Sequence, residues 1–287
     1  MSRREFTQNL IIDPKKYNAV VQQLRAYCLS QGLVESHPQN RMSILAACED
    51  PCTIATVDYG GFKWPLPQTG QMWLEYDMLH DESNTPGFFC VSTSYRNEPN
   101  PIEGRHDLVF PMFEFELRDG FDHLVNFCEG LVSHLGYDKS KFVHGDYVDV
   151  AKEYNTTEIE HVHEQQMYKD HGSVFFLKNF PVYTSPFWNM KRHEGGQLAY
   201  KLDVILNGME TIGSAERSCD VEQMEHDFHT ISNGMYAKTL YNKIDKESVT
   251  NELGEFLSTP TISKTVRSGG GIGLTRLIKG MEKEGLL

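Results

Sequence analysis

The 287-residue sequence predicts an α+β fold in which antiparallel strands are flanked by helices. Three observations carry this expectation. Apolar residues recur at helical spacing through Tyr17, Val20, Val21, Leu24 and Cys28, and again through Phe121, Leu124, Val125, Cys128, Leu131 and Val132. Aromatic and β-branched residues alternate over 89–95 and 109–117, the pattern of two strands joined by a loop at 99–105. No repeat, low-complexity tract or linker interrupts the chain, so residues 1–287 are expected to form one domain.

The elements follow in order. Asp13-Pro14 starts the first helix, with an acidic cap and a proline in the first turn, and Gly32 follows its end. After the strand pair and the helix through 119–134, residues 147–154 and 157–171 are predicted helical. Thr157-Glu158-Ile159-Glu160 has the form of a capping box at the start of the second of these. Residues 174–177, 202–206 and 211–213 are expected to be strands, and 221–240 a helical segment.

Composition narrows the class. Hydrophobic residues make up 39% and charged residues 23%, ordinary for a globular protein. No apolar run approaches the roughly 20 residues a membrane-spanning helix needs. Arg3 and Arg4 are not followed by an apolar stretch, so the N-terminus is not a secretory signal. Cysteines at 28, 48, 52, 90, 128 and 219 do not form a disulfide framework, which favours a reducing cytoplasm. Net charge is 27 − 40 = −13, which opposes broad electrostatic attraction to nucleic acid.

Several lesser patterns have plain structural readings. Cys48-x3-Cys52 lacks a second pair at zinc-ligand spacing, and free thiols explain it better. His161 and His163 are two apart in a predicted helix and face different ways. Asn155-Thr156-Thr157 is a formal glycosylation sequon without consequence in a cytoplasmic protein.

Chemistry concentrates in two stretches. Arg96-Asn97-Glu98 is followed by Arg105-His106, Phe110 and Glu114, and Gly269-Gly270-Gly271-Ile272-Gly273-Leu274-Thr275-Arg276 lies near the C-terminus. Arginines offer forked donors to phosphate oxygens, an aromatic face stacks on a base, and glycines admit close backbone approach. Taken singly, these are also what a solvated ion pair and a turn into a buried element look like. The glycine run is not a phosphate loop of the Lys-Ser/Thr kind.

In this order the stretches resemble a known family. Residues 95–116 resemble motif 2 of the class II aminoacyl-tRNA synthetases, and residues 271–277 resemble motif 3. Residues 66–75, 180–191 and 202–217 are similar to segments of the aspartyl, asparaginyl and lysyl subgroup, nearest the asparaginyl enzymes and their asparagine-synthetase-like paralogues. Residues 32–38 resemble motif 1, which builds a homodimer interface in relatives. The resemblance runs from about residue 15 to 280. It implies a class II synthetase-type antiparallel sheet, and a ligase that uses ATP and Mg²⁺ to form an aminoacyl-adenylate.

By that resemblance Arg96 grips the α-phosphate and Glu98 lies on the adenine side. Arg105 and His106 cover the outer phosphates, Phe110 and Arg276 sandwich the adenine, and Asp203 and Glu210 hold Mg²⁺. Gln68, Gln71, Glu114, Asn207 and Arg217 bind the amino acid. Leu74 stands where the aspartyl enzymes carry a lysine, and Met112 agrees with the asparaginyl pattern. Both favour asparagine, with aspartate as the alternative. Val109, Thr275 and Arg267-Ser268 depart from the family pattern. The helix leading into motif 1 begins within the first 15 residues, leaving no room for the subgroup's N-terminal anticodon-binding barrel. The expected acceptor is therefore ammonia, a small molecule or a protein side chain rather than a full tRNA. Asparagine synthesis from aspartate and ammonia, a minimal tRNA ligase and a non-catalytic regulator are the alternatives.

Overall fold

The computed structural model describes residues 12–37, 42–47, 50–101 and 107–287. Its frame is an eight-stranded sheet in the order β1-β4-β5-β10-β9-β8-β7-β6. The strands are β1 (Val34–Glu35), β4 (Gly87–Tyr95), β5 (Val109–Leu117), β6 (Val143–Asp146), β7 (Val174–Pro181), β8 (Leu198–Leu206), β9 (Met209–Glu216) and β10 (Ser268–Gly273). A separate hairpin pairs β2 (Thr56–Tyr59) with β3 (Phe62–Pro65). Six strands, β4, β5, β10, β9, β8 and β7, are joined antiparallel. A short strand pairs parallel at each edge, β1 on β4 and β6 on β7. The edge strands β1 and β6 were not expected from periodicity, because two and four residues give too little alternation to be seen in sequence.

Side-chain parity divides the sheet. On β5, Phe113, Phe115 and Leu117 enter the main core, as do Leu202, Val204 and Leu206 of β8, Ile212 of β9 and Ile272 of β10. They pack against α1 (Pro14–Ser30), α3 (Phe121–His134) and α9 (Leu274–Glu284). The intervening residues, among them Glu114, Lys201, Thr211 and Gly271, line a cavity on the other face. One strand thus serves the core and the site at once.

Local rules account for most helix ends. The Asp13 carboxylate accepts from the Lys15 amide at 2.8 Å, and Pro14 occupies the first turn, as expected. The predicted start at Thr157 is corrected to His161, for α5 (His161–His171). There Glu160 and His163, not Thr157, form the reciprocal cap. The helical segment expected at 221–240 is two helices, α6 (Val221–Thr230) and α7 (Met235–Lys243), because Ser232, Asn233 and Gly234 adopt positive φ between them. Two further helices, α2 (Gln71–His80) and α8 (Lys246–Leu257), pack with these around Trp188 in a second apolar cluster. The remaining helix, α4 (Tyr147–Glu153), covers β7.

The glycine run of β10 is a strand, held between β5 and β9. A Cβ at Gly270 would lie 2.6 Å from the Gly213 carbonyl and against the Ser214 side chain, and one at Gly269 would fall on the Glu116 carboxylate. The absence of side chains is therefore a packing requirement, and it lets charged groups of neighbouring strands sit directly against the sheet.

Candidate active site

The cavity of about 350 Å³ is walled by β5, β8, β9, β10 and the first turns of α2. Its volume is typical of small-ligand sites. Arg96, Glu98, Phe110, Glu114, Gln71, Glu210, Arg217 and Arg276 all line it. Residues scattered over 206 positions in sequence therefore meet in one place (276 − 71 + 1).

The position of Arg96 is set by backbone. Its amide donates to the Leu108 carbonyl at 2.8 Å, and the Asn97 amide donates to the Thr53 carbonyl at 2.8 Å. The Arg96 Nε donates to Ser94 Oγ at 3.3 Å. Phe110 faces Ser94 in the β4–β5 ladder. From the far side, Arg276 in the first turn of α9 donates Nη1 to the Glu210 carbonyl at 2.8 Å, with the Glu210 carboxylate 3.8 Å away. Arg105 and His106 lie outside the described residues.

Beneath the cavity is a buried charge network. Arg217 donates Nε to Glu116 Oε1 at 3.2 Å and Nη2 to Glu116 Oε2 at 3.1 Å, and its Nη2 also reaches the Gln71 side-chain carbonyl. Glu75 lies 3.6 Å from Arg217 and accepts from Arg267 Nε at 2.9 Å and Asn189 Nδ2 at 2.5 Å. Glu75, Glu116, Asn189 and Arg267 are all inaccessible to solvent. Burial alone would lower the Arg217 pKa, but Glu116 and Glu75 outweigh it and keep the guanidinium charged. Burial pushes Glu116 up to about 7, with Arg217 opposing and Glu75 adding to the rise.

Glu114 was expected, with Arg217, to bind the amino acid. It accepts from the Gly70 amide at 2.7 Å and from the hydroxyls of Thr69 and Ser92. The carboxylate that accepts from Arg217 is that of Glu116, two residues along the same face of β5. Arg267, a departure from the family pattern, acts here as the buried counterion of Glu75.

Two expected ligands are placed elsewhere. Gln68 is fully buried outside the cavity, with its amide bonded to Asp50 backbone atoms and Thr53 Oγ1, all at 2.9 Å. It thereby holds the loop whose Thr53 carbonyl receives Asn97. Asn207 and Gly208 form the two-residue turn between β8 and β9, with φ of 52° and 83°. An Asn-Gly pair suits a hairpin turn of this hand. The Asn207 side chain bonds Tyr137 at 3.0 Å and Glu284 at 2.8 Å, away from the cavity. Leu74 is also fully buried and outside the lining, so it cannot act as the missing cation position in the pocket.

Asp203, which lines an adjoining cavity rather than this one, faces Gly213 across the β8–β9 ladder, and Glu210, which lines both, follows the hairpin. A Cβ at Gly213 would lie 3.3 Å from Glu210 Oε1 and 3.7 Å from Asp203 Oδ1, so both carboxylates overhang the same glycine. Asp203 Oδ1 is buried without a hydrogen-bond partner, while Oδ2 accepts from Lys201 Nζ at 2.7 Å. Burial pushes Asp203 up to about 7 against the Lys201 charge, with Glu210 and Glu164 reinforcing the rise. An orphaned buried oxygen beside a second carboxylate suits Mg²⁺, which takes one or two protein carboxylates and completes its shell with water and phosphate oxygens. Among the described residues no group of three or more metal-ligating side chains occurs.

A second cavity of about 790 Å³ adjoins the first and shares Phe187, Lys201 and Glu210 with it. Among the described residues no helix is long and apolar enough to cross a membrane.

Glu116 and Asp203 together set a pH signature. Both pKa values are raised to about 7, from ordinary values of 4.5 and 3.8. Their contribution to stability is complete below the ordinary values and is lost as pH rises through the folded ones. Urea unfolding should therefore show stability declining from about pH 4 to pH 7, with a shallower decline in Glu116→Gln. A constant offset between the two proteins across that window would contradict the burial of an ionisable Glu116.

Comparison with known proteins bears on the fold and the family. Among curated proteins none matches the chain significantly. Asparaginyl-tRNA synthetase from Pyrococcus horikoshii, complexed with asparaginyl-adenylate, is similar in structure with a TM-score of 0.73 at 17% identity, covering 94% of this chain and 64% of that one. The Entamoeba histolytica asparaginyl enzyme, also with asparaginyl-adenylate, gives 0.73 at 19% identity over 98% and 65%. The aspartyl enzyme of that organism gives 0.67 at 16% identity over 93% and 54%. The chain thus spans just under two thirds of the asparaginyl relatives' length. The profile of the tRNA synthetases class II (D, K and N) matches residues 15–285, and the chain belongs to that family.

Proposed function

We propose that this chain activates an amino acid of the asparagine or aspartate type with ATP, forming an aminoacyl-adenylate and pyrophosphate. The observation that carries the reading is the convergence of Arg96, Phe110 and Arg276 on one cavity whose floor is the Glu116–Arg217–Glu75–Arg267 network. A carboxylate nucleophile is already ionised at neutral pH, so attack on the α-phosphorus needs positioning and charge neutralisation rather than a general base. Arg96 would neutralise the α-phosphate, and Phe110 and Arg276 would hold the adenine between them. Asp203 and Glu210 would hold Mg²⁺, which supplies further charge neutralisation on the phosphates.

The pocket chemistry favours asparagine over aspartate. Arg217 is engaged by two buried carboxylates, and Glu114 stands nearby, so a side-chain carboxylate would enter a region already rich in negative charge. A neutral amide can accept from Arg217 and donate to a carboxylate without adding charge. The acceptor reading rests on net charge: at −13 the chain is a poor electrostatic partner for a polyanionic tRNA. Ammonia, a small amine or a protein side chain suits it better, which keeps asparagine synthesis from aspartate as the alternative.

Amino-acid-dependent exchange of labelled pyrophosphate into ATP tests the reading. Arg276→Ala should abolish exchange through loss of a stacking plane and a phosphate charge, a deficit of about 3 kcal/mol or more where water is excluded. Arg217→Ala should lose most activity and the preference for asparagine, since it leaves buried carboxylates uncompensated. Unchanged exchange in Arg276→Ala, or a wild-type preference for bulky apolar or basic amino acids, would refute it.

The reading extends to a homodimer through the segment at 32–38, whose described part leaves Val34 half-exposed on an edge strand. Light scattering at micromolar concentration should give twice the 32.9 kDa chain mass. A monomer would count against the dimer while leaving the activation chemistry untouched.

A further inference from the structure

Lys201 has no role in the chemistry drawn so far, yet it occupies a distinctive place. It lines both cavities and is the only lysine lining either of them among the described residues. It lies two positions before Asp203 on the same face of β8, and its ammonium bonds Asp203 Oδ2 at 2.7 Å. The Phe180 ring lies 3.8 Å from the ammonium. The side chain keeps 23% of its surface accessible, so it is held but not sealed. The ammonium itself lies over the aromatic ring, and the residue borders both cavities.

We propose that Lys201 is a resident phosphate-binding cation: its ammonium supplies part of the positive charge that holds the outer phosphates of the nucleotide beside Asp203 and Glu210. This deepens the adenylate-forming reading and rests on it.

Three features support the assignment. An ammonium is a compact point charge on a flexible stem, able to share itself between a carboxylate and a phosphate oxygen. A lysine held only to neutralise Asp203 would need no access to either cavity, and this one borders both. The carboxylates overhanging Gly213 would repel a polyphosphate in the absence of metal, and Lys201 is the described lysine placed to offset them.

The consequence is measurable without turnover. ATP binding is titrated calorimetrically in the wild-type chain, Lys201→Met, Lys201→Gln and Lys201→Arg, once in chelator and once with saturating Mg²⁺. Loss of a charge-assisted contact should weaken metal-free ATP binding about tenfold in Lys201→Met and Lys201→Gln, with Lys201→Arg staying close to wild type. Mg²⁺ should narrow the gap. Lys201→Gln can still hydrogen-bond Asp203, so it reports on charge even if Lys201→Met does not fold.

Metal-free affinity unchanged in the folded Met or Gln variant would overturn the proposal and leave Lys201 as a support for Asp203. Arg276→Ala in the same titration separates the two readings. If it weakens ATP binding while the Lys201 variants do not, the lysine assignment alone fails. If neither has an effect, the nucleotide cavity itself is wrongly placed.

Discussion

The constraint on which the site depends is the burial of two arginines and two glutamates in one connected network. Arg217 bridges Glu116 and Glu75, and Arg267 closes on Glu75 from behind. Removing one member would strand a charge in a dry interior, which is far costlier than losing an exposed ion pair. The network therefore fixes the guanidinium of Arg217 in both position and protonation state. It also links α2, β5, β9 and the start of β10, the elements that enclose the cavity. Rigidity at the Arg217 end of the cavity is a consequence of charge burial rather than of apolar packing.

The rest of the site is built outward from that fixed floor. Glycines in β10 let the Glu116 carboxylate lie against the strand, where a Cβ at Gly269 would occupy the same space. Parity on β5 gives the core Phe113 and Phe115 while presenting Glu114 and Glu116 to the other face. The loop ending in Thr53, pinned by Gln68, receives the backbone at Asn97 and so sets where Arg96 begins. Gln68 thus supports the Arg96 end of the cavity through two intermediaries and does not line it.

Much of this was legible in the sequence, and the failures have identifiable causes. The long strands and the first helix follow from periodicity, and the grouping of Arg96, Phe110, Arg217 and Arg276 from the resemblance to the family's motifs. The carboxylate partner of Arg217 does not, because Glu116 and Glu114 share a face of β5 and only the inter-strand register separates them. Arg267 and Glu75 are 192 positions apart, and no local pattern signals that pairing. Asn207 sits inside a chemically rich block, yet Asn-Gly between two strands is itself a turn signal that outweighs block membership. Lys201 could have been found by parity, since it precedes Asp203 by two positions on the same strand.

The most direct test of the buried network uses a residue that lines neither cavity. Arg267→Lys keeps the charge but loses the fork that holds Glu75. Calorimetric titration of this variant should show asparagine affinity reduced about tenfold, while ATP affinity stays at the wild-type value. Unaltered asparagine binding in the folded variant would contradict the claim that this network positions the amino-acid site.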